Sequence, residues 1–154
     1  MDINHLTRKV IGCAYKVHKV LGPGFLEKVY ENSLTLELKK LGIDARQQFK
    51  LPVWYDGQRV GLYFPDLWIE GQLIVELKAI GTLAPEHEMK LVHYLCATGI
   101  DDGLLINFGP TVQIKRKFRE YRPVCENTHG KIDPGEEDEV EACRLGNACC
   151  RGLR

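Results

Sequence analysis

Glu76 and Lys78 stand two residues apart in the stretch 72–79, QLIVELKA, which is otherwise almost wholly apolar. In a strand, side chains at that spacing leave the same face of the sheet. Burying either charge alone costs on the order of several kcal/mol, so each needs a partner, water or a metal ion at that face. Asp66 is the natural neighbour, because it precedes Glu76 across a turn at Glu70-Gly71. A two-residue loop there would pair Asp66 with Val75 and send its carboxylate to the opposite face. A three-residue loop over Glu70, Gly71 and Gln72, with glycine supplying positive φ, pairs Asp66 with Glu76 instead.

Two carboxylates brought together in this way repel one another, and a divalent cation relieves the repulsion. Mg²⁺, or Mn²⁺ in its place, suits one or two carboxylates completed by water and phosphate oxygens. Such an ion activates water and neutralises charge on a phosphate under attack. Lys78 would hold that water or the developing negative charge. The predicted chemistry is therefore attack of a metal-activated water on a phosphate, at a site made by Asp66 and Glu76.

The elements that must position these residues are readable from periodicity. Ile3, Leu6, Val10, Ile11, Ala14, Val17 and Leu21 form an amphipathic stripe, with Asp2 placed to cap the helix start. Gly22-Pro23-Gly24 breaks the chain, and a second helical pattern runs from Phe25 to about Leu41, stopped by Gly42. The period then falls to two from Gln47 through Tyr55, with Asp56-Gly57 signalling a hairpin into a strand from Arg59 to Ile69. The nearly unbroken apolar run around Glu76 reads as a central strand covered on both faces. A helix over 85–97 and strands over 103–108 and 112–118 complete one mixed sheet with helices packed on it, an α/β domain.

The 154 residues suffice for one domain of ordinary globular composition, 44% hydrophobic and 27% charged. The net charge is zero, but residues 1–124 carry 17 basic against 14 acidic side chains. A net +3 suits a polyanionic ligand without demanding one. The chain holds no run of about 18 apolar residues and begins on a polar stretch, so no membrane association and a cytoplasmic location are expected. Cys13 and Cys96 fall inside apolar helical patterns and read as small core residues. Cys125, Cys143, Cys149 and Cys150 match no common zinc spacing. Residues 125–154 have no aromatic side chain and an acidic block at Glu136–Glu141, and read as a disordered or weakly helical tail.

Pro65-Asp66 followed by Glu76-Leu77-Lys78 resembles the signature of the PD-(D/E)XK nuclease superfamily. The upstream run Gly24-Phe25-Leu26-Glu27-Lys28-Val29-Tyr30 is similar to the motif that names the GxxExxY proteins of that superfamily. The stretches Tyr94-Leu95-Cys96-Ala97-Thr98-Gly99 and Leu105-Ile106-Asn107-Phe108-Gly109 also resemble that group, so the likeness covers about residues 5–122. It implies a restriction-endonuclease-like core over residues 1–124 that acts on DNA or RNA with Mg²⁺ or Mn²⁺, with Glu27 as a further acidic residue beside the metal. The sequence departs from the group at Lys90, where glutamine is expected on the helix after the Glu-x-Lys strand.

Each reading has a plainer counterpart. Glu27 in the first turn of a helix is favourable through the helix dipole alone. Tyr30, three residues on, suits the core as well as a site. Glu76 and Lys78 could form a structural ion pair, although apolar replacements usually serve stability better than a buried pair. Lys115, Lys117 and Arg119, in a basic stretch interleaved with aromatics, could track a phosphate backbone together with Lys90. The same charges equally suit an edge strand protected from aggregation. A non-catalytic nucleic-acid- or protein-binding module is the competing function, and a homodimer suits an enzyme that cuts two strands.

Overall fold

The computed structural model describes residues 1–120. The tail from 125, with its four cysteines and its expected disorder, lies outside the described residues.

Helix α1 (Ile3–Leu21) forms where the apolar stripe ran. Asp2 Oδ2 accepts the His5 amide at 3.1 Å, and the Gly22 amide donates to the His18 carbonyl at 2.8 Å to close the helix. Helix α2 (Glu27–Lys40) starts two residues later than its sequence pattern, because Phe25 lies in a bend and Leu26, the N-cap, is extended. Among the described residues seven strands follow, β1 (Ala45–Gln47), β2 (Leu51–Tyr55), β3 (Gln58–Tyr63), β4 (Leu67–Ile69), β5 (Leu73–Lys78), β6 (Asp102–Phe108) and β7 (Val112–Phe118). Helix α3 (Pro85–Thr98) joins β5 to β6.

Five strands form one mixed sheet in the order β1-β4-β5-β6-β7. Only β5 and β6 are parallel, and α3 makes the crossover that a parallel pair requires. One sheet face carries Leu73, Val75, Leu77, Leu104 and Ile106 against α1 and α2 residues such as Leu6, Val10, Leu34 and Leu38. The other carries Ile74 and Leu105 against Leu91 and Leu95 of α3 and Leu51 and Tyr63 of the β2–β3 hairpin. The architecture is α/β with a mixed central sheet flanked by helices, as its element order implied.

The strands expected over 47–55 and 59–69 are each broken, at matching places. Gln48 takes a φ of 52° between β1 and β2, and Pro65, which has no amide to donate, lies between β3 and β4. The Gln48 amide donates to the Asp66 carbonyl at 3.2 Å across this break. Beyond it β2 and β3 pair only with each other, as a separate two-stranded sheet. The hairpin thereby leaves the plane of the main sheet and covers its α3 face.

Of the two cysteines assigned to the core, Cys13 is buried and Cys96 is half-buried, with its Sγ 3.4 Å from the Glu120 carbonyl. Among the described residues no helix is long and apolar enough to cross a membrane.

Candidate active site

The β4–β5 turn fixes the site's geometry. Ile69 pairs with Leu73 and Leu67 with Val75, so Glu70, Gly71 and Gln72 form a three-residue loop. Glu70 and Gly71 take φ of 51° and 70°, the second of which glycine adopts without strain. Glu70 Oε1 also accepts the Asp44 amide at 2.8 Å, which anchors the turn to the segment entering β1. Continued by one residue, this register sets Asp66 opposite Glu76, the arrangement the shared-face geometry required. The ladder itself stops at Leu67, and the Asp66 side chain takes over. Its Oδ2 accepts the Leu77 amide at 2.7 Å, and its Oδ1 accepts from Gln48 Nε2 at 3.3 Å.

Glu76 is buried, only 7% exposed, on the face covered by α3 and the hairpin. Burial, reinforced by the neighbouring Asp66 charge, pushes its carboxyl up to about 7, while Tyr63, Lys78 and Lys90 pull in the other direction. The Tyr63 hydroxyl donates to Glu76 Oε1 in a buried hydrogen bond. Burial and the same carboxylates hold the Tyr63 hydroxyl above its ordinary value, so it stays a donor. Its ring stacks on Tyr94 of α3, with centroids 3.4 Å apart and planes within 5°. Lys90 Nζ lies 5.6 Å from the Tyr94 centroid, over the ring.

Glu27 arrives from the opposite layer as the first residue of α2. Burial raises its carboxyl above its ordinary value, Lys78 and Lys90 lower it, and Asp66 and Glu31 raise it. The fold thus brings Glu27, Asp66, Glu76, Lys78 and Lys90 into one electrostatic neighbourhood. None of the five belongs to the salt bridges seen among the described residues. The plain ion-pair reading of Glu76 with Lys78 therefore fails on geometry.

The remaining sequence candidates lie elsewhere. Tyr30 is fully buried and stacked on Phe108 at 4.5 Å. Its hydroxyl donates to the Gly22 carbonyl at 2.6 Å and accepts the Phe25 amide at 3.3 Å. It ties down the loop that delivers Glu27 and is a core residue rather than a site residue. Lys115, Lys117 and Arg119 belong to or follow β7, an edge strand. Lys117 is paired with Glu88, and Arg119 with Asp101 at 2.8 Å. These partners satisfy charges that a phosphate backbone would otherwise occupy, leaving Lys115 as the exposed lysine of that set.

The sequence reading missed Tyr63, Tyr94, Gln48 and Asn107. Tyr63 and Tyr94 pass for ordinary strand and helix aromatics until the hairpin is folded onto α3. Asn107 is fully buried in β6. It clasps the Ile80 peptide from both sides, with Oδ1 accepting its amide at 3.0 Å and Nδ2 donating to its carbonyl at 2.9 Å. That clasp holds the chain two residues beyond Lys78. A buried asparagine in an apolar strand was the available signal.

No three His, Cys, Asp or Glu side chains converge tightly among the described residues. The donor set nevertheless fits a divalent cation, since two opposed carboxylates, one of them buried and resisting ionisation, lack a compensating salt bridge. A family comparison matches residues 4–120 to the PD-(D/E)XK nuclease superfamily. The chain belongs to the PD-(D/E)XK nuclease superfamily. Nucleases of this superfamily generally use divalent metals. Comparison with curated proteins finds no match. Among solved structures, SSO0001 is similar over 77% of this chain and 61% of its own, at 16% identity and a TM-score of 0.47. The alkaline exonuclease LHK-Exo of Laribacter hongkongensis is similar over 70% of this chain and 76% of its own, at 11% identity and a TM-score of 0.41. This PD-(D/E)XK chain thus spans less than two thirds of SSO0001.

Proposed function

We propose that this PD-(D/E)XK chain is a metal-dependent nuclease that hydrolyses phosphodiester bonds in DNA or RNA. The observation that carries the reading is Asp66 standing one residue beyond the Leu67–Val75 pair, beside the buried Glu76 whose carboxyl its charge raises, with Leu77 and Gln48 orienting Asp66. Asp66 and Glu76 would hold Mg²⁺ or Mn²⁺, which supplies Lewis acidity towards a phosphate and its attacking water when bound. Lys78 orients that water and balances negative charge that develops on the phosphate. Water oxygen bonds to phosphorus as the P–O bond to the leaving strand breaks, Glu27 takes the proton that the water releases, and the leaving oxygen takes a proton from solvent. The products are a phosphate monoester and an alcohol end.

The resemblance of 24–30 to the GxxExxY motif supports placing the chain with that group, and Tyr30 gives the motif a purpose in holding the Glu27 loop. The reading includes nucleic acid as partner, a homodimer for cutting two strands, and a cytoplasmic location.

A second reading, a binding module without catalysis, is favoured by Lys90. Its cation acts on both Glu76 and Glu27 and offsets part of the charge that a metal would neutralise. The test is to incubate the full chain with single- and double-stranded DNA and RNA in Mg²⁺ or Mn²⁺. Wild type should cut at least one substrate, and a folded Asp66→Asn/Glu76→Gln double variant none. A folded wild type that cuts nothing, yet binds nucleic acid in EDTA as well as the double variant does, establishes the second reading instead.

A further inference from the structure

We propose that Tyr63, braced by Tyr94, is a positioning residue that fixes the Glu76 carboxylate for metal binding, an inference that rests on the nuclease reading above and deepens it. Tyr63 is the last residue of β3, in the hairpin that leaves the main sheet. Its hydroxyl meets Glu76 Oε1, while Glu76 itself comes from the central strand β5. The hydrogen bond therefore joins two separate sheets at the carboxylate.

A glutamate in a strand has three side-chain torsions, and a metal ligand must hold all of them. β5 fixes the backbone, and burial between α3 and the hairpin restricts the first torsions. The carboxylate plane remains to be set, and a donor on Oε1 sets it. That leaves Oε2, on the group opposite Asp66, as the oxygen without this donor. Tyr63 is itself immobilised, because its ring lies flat on Tyr94 and is 5% exposed. Lys90 Nζ lies over the Tyr94 ring, 5.6 Å from its centroid. Lys90 and Tyr63 both contact the Tyr94 ring, and Tyr63 carries its hydroxyl to the carboxylate. A phenylalanine at position 63 would fill the same space and stack equally well, so packing alone does not account for the hydroxyl.

Hydrogen-bond partners of ligating carboxylates typically contribute about 10–100-fold in metal affinity or activity. The experiment compares full-length wild type, Tyr63→Phe and Tyr94→Leu by calorimetric titration with Mn²⁺, by thermal melting, and by cleavage across a Mn²⁺ series. Tyr63→Phe should weaken Mn²⁺ binding by about tenfold or more. Its cleavage curve should move to correspondingly higher metal, with KM for the nucleic acid unchanged because Tyr63 touches no substrate. Tyr94→Leu keeps the hydroxyl but removes its brace, and should show a smaller loss of affinity. It carries the test if Tyr63→Phe does not fold. Wild-type metal affinity and cleavage in folded Tyr63→Phe would overturn the inference while leaving the nuclease reading intact. A folded wild type that neither binds Mn²⁺ nor cleaves would overturn both.

Discussion

Replacing Glu76 by glutamine should stabilise the metal-free protein at pH 8 and have little effect at pH 4.5. Glu76 is held up to about 7 by burial and by Asp66, against an ordinary value of 4.5. Between those two values the folded protein keeps the Glu76 proton and the unfolded chain releases it. Stability contributed by this group is therefore fully present below about pH 4.5 and lost as pH rises through about 7. At 1.36 kcal/mol for each pH unit between the two values, wild type at pH 8 carries a burden of about 3 kcal/mol. Glutamine has nearly the same shape, keeps an oxygen to accept from Tyr63, and has no charge to lose. Urea unfolding of both proteins in EDTA at pH 4.5, 6 and 8 reads the difference directly. The gap should open with pH, and about 10 mM MgCl₂ at pH 8 should close it by stabilising wild type alone. Glu27 titrates in the same direction but is common to both proteins, so the comparison isolates Glu76. A glutamine variant that gains nothing at pH 8, or gains equally at every pH, would refute the claim that this carboxylate is buried against its own charge.

Gly109→Ala should destabilise the fold by about 2 kcal/mol, measured as a lower urea midpoint, because overpacking a closed site forces the backbone to move. The added Cβ would stand 2.5 Å from the Ile80 carbonyl oxygen, in the segment after β5 that Asn107 clasps. The Lys117→Gln/Arg119→Gln double variant should bind nucleic acid within about threefold of wild type, with a salt slope altered by less than about one. Both residues already face Glu88 and Asp101, and a slope change near two in a salt titration would reassign them to the phosphate backbone.

Much of the architecture was legible because local and tertiary demands agreed. The stripe from Ile3 to Leu21, bounded by Asp2 and Gly22, allowed one helix of those limits. The Asp66–Glu76 register followed from sheet parity, because only an odd loop places both carboxylates on one face. The broken strands were not legible, since alternation through Phe49, Leu51 and Val53 continues across the break without change. Gln48 adopts its positive φ under tertiary constraint, and Pro65 was the one local signal of the kink. The Tyr63–Glu76 bond was hidden for the same reason, as it exists only once the hairpin folds back over β5. Charge in 115–119 was plain, whereas its neutralisation by Glu88 and Asp101 depends on how α3 and the loop before β6 lie beside β7. Periodicity reports which way a side chain faces within its own element, and the partners come from elements that periodicity does not connect.

The parallel pairing of β5 with β6 bears on how the chain emerges during synthesis. Asp66 and Glu76 are only ten positions apart, yet β5 gains its second neighbour only when Asp102–Phe108 has been made. Until then the strand that carries Glu76 has one open edge, and the Ile80 peptide lacks the Asn107 clasp. Tyr94 also comes after the hairpin it braces. A ribosome-bound chain therefore completes this site late, after nearly all of residues 1–108 has been made. A product that stops before β6 lacks the second neighbour of β5 and the Asn107 clasp on the Ile80 peptide.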